Sequence, residues 1–239
     1  MKRLDNSTID CYDKHSNAYD IYQATVVPHY HDMLDIVSLA CRRYLSPNSR
    51  ILDLGCGTGN ASMAILKMMP AKIFLVDGSP SMMAAAENKI RSFFPEALNG
   101  SKVVSLFTEN WSDNLISSQD AVVSTLVLEH LPLEIYRKVA EKCFDILEPG
   151  GWLIAVEGYD EKGSDMIQWF NEEMLARRIK LDPEISGYVG TLRNDNEVHY
   201  YTSKKQKEAL WRGIGFDKVN FIWQYLCIAL MIANKPEVR

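Results

Sequence analysis

The sequence predicts an α/β fold: a seven-stranded, mostly parallel sheet with its last strand antiparallel, and helices on both faces. Three observations predict it. Apolar strand-like runs alternate with helix-like segments from residue 50 to residue 157. The first of these runs ends in glycines at alternate positions, Gly55, Gly57 and Gly59, and feeds a helix. Two apolar runs near the end of the chain are joined by a tight turn, so they should pair antiparallel. With 239 residues, 47% of them apolar, the chain is large enough for one domain with a full core.

Taken in order, residues 1–49 read as a tyrosine-rich helical lid, in which Leu34, Val37 and Cys41, with Ile36 and Ala40, form a helical stripe. Pro47-Asn48 turns the chain into strand one, Arg50 to Gly55, and a helix follows over Ala61 to Met69. Strand two is Lys72 to Asp77. Ser79 then stands as a helix N-cap with Pro80 at the first helical position, and that helix runs through Met82 to Arg91. Strand three is expected at Lys102 to Phe107 and strand four at Ala121 to Val127. Pro132 opens a helix to Leu147, Glu148-Pro149-Gly150-Gly151 makes a turn, and strand five is Trp152 to Glu157. Residues 50–158 form the ligand-binding core of this scheme. Residues 159–201 break the rhythm with a helix over Met166 to Ile179 and a polar stretch holding Pro183, Gly187 and Gly190; they read as a cap. Residues 202–239 supply a closing helix, Ser203 to Arg212, and strands Lys218 to Trp223 and Leu226 to Asn234.

Composition narrows the function classes. The net charge is −5, and no block of Lys and Arg exceeds two residues, so nucleic acid is not an expected partner. The five cysteines (Cys11, Cys41, Cys56, Cys143, Cys227) are scattered and contain no C-x-x-C pair, which supports neither a zinc site nor a disulfide framework. No His/Cys/Asp cluster has metal-ligand spacing, so no metal is expected. The longest apolar stretch, Leu226 to Ala233, is too short to span a bilayer, and a cytoplasmic location is expected.

The chemistry is carried by Ile51 to Asn60. Glycines after a strand permit positive φ and let backbone approach a ligand that a Cβ would push away. A dinucleotide fingerprint is G-x-G-x-x-G, with its third glycine where Asn60 stands. This chain instead has G-x-G-x-G, preceded by Asp53. A carboxylate at that strand suits a cationic or amine-bearing ligand better than a pyrophosphate. A turn with no ligand is the plainer alternative. Asp77, at the tip of strand two, can accept both hydroxyls of a ribose, which serves NAD and other adenosyl ligands alike.

D-x-G-x-G-x-G over Asp53 to Gly59 resembles motif I of the class I S-adenosylmethionine (SAM)-dependent methyltransferases. Asp77-Gly78-Ser79-Pro80-Ser81-Met82 resembles that family's D-x-S-x-x-M, in which the Met side chain lies against adenine. Glu109, by its distance ahead of Asp120, resembles the family's acidic residue for the adenine amino group, with Asn110 and Trp111 flanking the ring; the family more often has Asp there. Ser124 to Leu131, with Thr125 and Leu126 facing the methionine part, resembles motif IV, and Leu147 to Gly151 matches L-x-P-G-G. Together these imply a Rossmann-like methyltransferase core that binds SAM and releases S-adenosylhomocysteine (SAH), with Asp53, Gly55, Cys56, Gly57, Asp77, Gly78, Ser79 and Met82 among the cofactor-binding residues. Val27-Pro28-His29-Tyr30 is similar to a V-P-x-Y stretch of carboxy-SAM synthases and related small-molecule methyltransferases, which implies that Tyr30 reaches the cofactor. Carboxy-SAM synthases use an arginine for the extra carboxylate; Arg193 lies in the right region, and that activity is the minority reading.

Methyl transfer needs alignment, exclusion of water and, when the nucleophile arrives protonated, a base. His130, after strand four, and Glu157, ending strand five, are the candidate bases. Tyr12, Tyr19 and Tyr22 on the lid, with Tyr159, His199, Tyr200 and Tyr201 around the cap, are candidate substrate residues, although tyrosines at helical spacing also serve packing. The expected function is methylation of a small molecule at O, N or C. A carboxy-SAM synthase-like or tRNA-modification-linked enzyme, a non-catalytic SAM-binding module and an NAD-dependent dehydrogenase are the alternatives.

Overall fold

The computed structural model describes residues 19–113, 118–181 and 199–237. Tyr12, Cys11 and Arg193 lie outside them. Seven strands form one sheet: β1 (Ser49–Leu54), β2 (Ala71–Asp77), β3 (Leu98–Val103), β4 (Gln119–Thr125), β5 (Leu147–Gly158), β6 (Asp217–Tyr225) and β7 (Ile228–Asn234). The spatial order is β3-β2-β1-β4-β5-β7-β6. The pairs from β3 through β5 are parallel, and β7 runs antiparallel to both of its neighbours. The strand order reverses between β1 and β4, and α/β sheets bind ligands at the carboxyl ends of strands at such a switch.

Period-two alternation assigns each face. Ile51, Ile73, Leu75, Val123 and Ile154 pack with helices α1 (Tyr30–Tyr44), α2 (Asn60–Met68) and α3 (Pro80–Phe93). Leu52, Leu54, Phe74, Val76 and Leu153 pack with α4 (Leu133–Ile146) and α6 (Lys204–Ile214) on the other face. Helix α5 (Met166–Arg178) follows β5 and buries only Phe170 fully. A short 3-10 turn, Leu128–His130, follows β4, and a helical segment spans residues 19–26.

Strand three departs from expectation. It occupies Leu98–Val103, four residues earlier than its apolar run suggests. Gly100 is extended in the strand, where a Cβ would come within 2.6 Å of the Phe74 ring. Val104 closes the strand with its N–H on the Asp77 carbonyl (2.8 Å), and the apolar residues beyond it turn across the end of the sheet. No helix among the described residues is long and apolar enough to cross a membrane.

Candidate functional site

The glycine loop is pinned and bare. The N–H groups of Gly55 and Cys56 both donate to the Val76 carbonyl, at 2.7 and 3.0 Å. Gly55, Gly57 and Gly59 all have positive φ, at 71°, 51° and 81°. A Cβ on Gly55 would sit 2.4 Å from Val127, so this glycine allows the loop to meet the turn after β4. Asp77 receives the loop: its Oδ2 accepts from Gly57 N and its Oδ1 from Ser79 N, both at 2.8 Å. Ser79 in turn caps α3 by accepting from Met82 N at 3.2 Å, with Pro80 at the first helical position as expected.

These elements enclose a cavity of about 980 Å³, counting its mouth. Of the cofactor residues expected from the sequence, Tyr30, Gly55, Cys56, Gly57, Asp77, Gly78, Ser79, Met82, Thr125 and Leu126 line it. His130 lines it too, as does Tyr19. Four expected residues do not. Asp53 lies wholly buried beneath the loop, where its carboxylate accepts from Ser62 Oγ. Burial, set against that hydrogen bond and reinforced by the charge of Asp77, raises its pKa to about 6. Glu109 is exposed and faces Lys138 at 3.5 Å. Asn110 lies in a turn whose carbonyls are gathered by Lys102 Nζ, and Trp111 is buried in the α4/α6 core. The displacement of β3 explains this: the cavity wall is Ser105, Leu106 and Phe107, the apolar run taken for strand three. A run too short to discriminate strand from wall was the only signal for them.

A tether crosses the mouth of this cavity. Asp20, from segment 19–26, accepts from Thr58 Oγ1, from Asn60 Nδ2 at 2.9 Å and from Lys89 Nζ at 2.7 Å. Asn60 Nδ2 also reaches Tyr30 Oη at 3.0 Å, and its Oδ1 accepts from Lys89 at 2.8 Å. Burial pushes the Asp20 carboxyl upward, but hydrogen bonds from Lys89, Thr58 and Asn60 outweigh it and hold the pKa below its ordinary value. Tyr30, mostly buried, has its hydroxyl raised to about 12 by burial, against the Asn60 hydrogen bond, so it remains a neutral phenol.

A second chamber adjoins the first and shares Tyr19, Leu126 and His130 with it. Of the candidate substrate residues, Tyr22, His199 and Tyr201 line it. Tyr159 and Tyr200 do not. Tyr159 is buried edge-on to Phe221, with ring centroids 5.4 Å apart, and Tyr200 is half-exposed, its N–H donating to the Glu129 carbonyl. Glu157 is also absent from both cavities. Parity along β5 places it with Leu153 and Ala155 on the α4/α6 face. There, fully buried, it accepts from Tyr136 Oη at 2.7 Å and from Lys207 Nζ at 2.8 Å. A carboxylate so enclosed holds α6 to the sheet and does not reach a substrate.

A family model described as a methyltransferase domain matches residues 51–151. Over that core the chain is similar to the class I S-adenosylmethionine-dependent methyltransferases. Among relatives of these methyltransferases, it is 27% identical over 218 residues to the carboxy-S-adenosyl-L-methionine synthase of Vibrio parahaemolyticus, covering 87% of this chain and 84% of that one. The corresponding protein of Shigella boydii is 23% identical over 217 residues, covering 88% and 85%. In fold, it is similar to the magnesium protoporphyrin IX methyltransferase of Synechocystis with bound SAH (TM-score 0.68, 14% identity, 95% and 97% covered). It is also similar to human N-acetylserotonin methyltransferase in complex with SAM (TM-score 0.67, 15% identity, 98% of this chain and 60% of that one). Several of the similar structures are longer, and this chain spans about three-fifths of their length.

The residues present fit an adenosyl cofactor without phosphate. The cradle over Gly57 is open, with only the Tyr19 ring at 3.7 Å from a Cβ position, and the Asp77 carboxylate stands beside it. A pyrophosphate would need the amino end of α2, and the Asp20 carboxylate occupies that place through Thr58 and Asn60.

Proposed function

We propose that this protein transfers a methyl group from SAM to a small molecule held in the second chamber. The observation that carries the reading is the placement of Asp20. An anionic carboxylate, kept ionised by its three donors, lies at the helix end where a dinucleotide would place its phosphates, and like charges there repel. Asp77 and the bare glycine loop would hold the ribose and the amino-acid part, and Met82, Leu106 and Phe107 would flank the base.

When bound, SAM supplies an electrophilic methyl on a cationic sulfur that departs as a neutral thioether. The chain's own work is alignment and exclusion of water. Leu126 and Tyr19, common to both cavities, separate the two ligands' sites and keep the passage narrow. His130, also common to both, would accept the acceptor's proton at an imidazole nitrogen as the nucleophile's lone pair forms its bond to carbon. Glu157, buried against Lys207 and lining neither cavity, has no part as a base in this reading.

The test is calorimetric titration with SAM, SAH and NAD. The two adenosyl ligands should bind and NAD should not. Asp77→Ala should weaken SAH about a hundredfold, having lost two charge-assisted contacts. NAD binding alone would overturn the reading. A second reading, synthesis of carboxy-SAM, is favoured by the relatives of that name that cover 87% of the chain. Mass spectrometry of ligand carried through purification separates the two: an adenosyl species one carboxyl group heavier than SAM would establish the second.

A further inference from the structure

The second chamber has a specific polar character. Three rings form a continuous rail along one wall: His130 to His199 with centroids 4.6 Å apart, and His199 to Tyr201 at 5.0 Å and 22°. Tyr201 is seated against backbone, since a Cβ on Gly158 would lie 2.2 Å from its ring; a glycine at that position is what lets the ring close the wall. Gln23, of segment 19–26, also lines the chamber. It is 6% exposed, and its Oε1 has no hydrogen-bond partner among the described residues. A buried amide oxygen left unmatched costs on the order of 1–3 kcal/mol, so such an atom at a cavity wall fits a ligand donor. Glu129, 3% exposed, adds a carboxylate to the chamber lining, and its field reaches Lys207, Tyr159 and Cys227. Among the described residues lining the chamber none is Lys or Arg.

We propose that this chamber selects an arylalkylamine: a ring stacked along the His130–His199–Tyr201 rail, with an ammonium group donating to Gln23 Oε1 within the field of Glu129. The inference rests on the preceding reading, in that this chamber is the acceptor site beside the cofactor. The rail supplies stacking area and, through its rings, attraction for a cation. Gln23 supplies direction. Glu129 supplies the charge discrimination, because an anionic ligand of the same shape would enter a negative field with no Lys or Arg on the lining to meet it.

The experiment uses the full-length protein saturated with SAH, titrated with three probes of similar ring size: tyramine, 4-hydroxyphenylacetate and p-cresol. Tyramine should bind at least about tenfold tighter than the other two. Gln23→Met should reduce tyramine binding about tenfold while leaving SAH affinity unchanged, which also certifies that the variant is folded. Gln23→Glu should strengthen tyramine and weaken the acid further. Equal or tighter binding of 4-hydroxyphenylacetate, binding of none of the three to the SAH-loaded protein, or a tyramine preference that survives Gln23→Met would each overturn the proposal. Failure of SAH itself to bind would instead strike the cofactor reading.

Discussion

Asn60 and Asp20 meet at the amino end of α2, where Asn60 Nδ2 donates to Asp20 Oδ1 at 2.9 Å. Asn60 holds the position at which a dinucleotide fold keeps a third glycine. In this chain a side chain is useful there. It links segment 19–26, Tyr30 of α1 and Lys89 of α3 in one set of hydrogen bonds.

Asn60→Gly should therefore restore the dinucleotide spacing without restoring dinucleotide binding. Asp20 would remain on Thr58 and Lys89, and NAD should still fail to bind. The three Asn60 side-chain hydrogen bonds lost should accelerate SAH dissociation about tenfold. Amide exchange over residues 19–26 should quicken in parallel. Unchanged exchange there would show that Asn60 does not hold the segment.

Gly55→Ala should abolish SAH binding. The added methyl meets three Val127 atoms between 2.4 and 2.9 Å, at a φ of 71° that L residues rarely adopt. Gly163→Ala is the matched control: φ is 80°, with nothing within 4 Å, so it carries only the backbone cost of about 1–2 kcal/mol. Thermal melts of the two variants, run with and without SAH, separate the effects. Only Gly163→Ala should retain the ligand-induced rise in Tm.

Asp53 should make stability depend on pH. The folded protein keeps this proton to about pH 6, while an ordinary aspartate releases it near 3.8. Between those values the folded state binds more protons, so stability falls as pH rises and the loss is complete above about 6. Asp53→Asn removes the charge and keeps an acceptor for Ser62. Its stability relative to the parent should climb by on the order of 2–3 kcal/mol across that window, at about 1.4 kcal/mol per unit. Denaturant melts at the two ends of the window measure it; a constant difference would contradict the assignment.

Lys207→Met should destabilise by about 3–5 kcal/mol, because it strands the buried Glu157 carboxylate. Adding Glu157→Gln should recover most of that loss, since an amide oxygen can still accept from Tyr136 Oη. If the double variant were as unstable as the single, the cost would belong to the lost contact of the Lys207 ammonium with the Tyr136 ring, where Nζ stands 3.0 Å from the centroid.

Strands β1 and β2, the Ser79 cap and the reversed β7 were legible because each rests on a local signal: a buried apolar run, an N-cap followed by proline, a tight turn. The glycine loop and Asp77 were legible for the same reason. Strand three was not. The true strand carries little apolar signal and passes Gly100 beneath the Phe74 ring, while the neighbouring apolar run serves a cavity instead of a sheet. Glu109 and Trp111 followed that displacement out of the site. Glu157 shows a different limit. The end of strand five is readable from sequence, but the face its side chain takes follows from strand parity and from Lys207, fifty residues later. The tether through Asp20 joins residues distant in sequence and has no local signature at all.

The position of β7 bears on how the protein is made. It is the last strand in sequence, yet it lies between β5 and β6, and every one of its residues is buried. Strand β6 pairs with β7 alone. During synthesis, β5 therefore leaves the ribosome with an open apolar flank, and β6 has nothing to hold it until Ile228 to Asn234 emerge. A nascent chain in that interval presents the unpaired edge that promotes aggregation. Ribosome stalling within the final hairpin would thus leave a cofactor loop already built on a sheet that cannot yet close, dependent on chaperones until the last strand slots in.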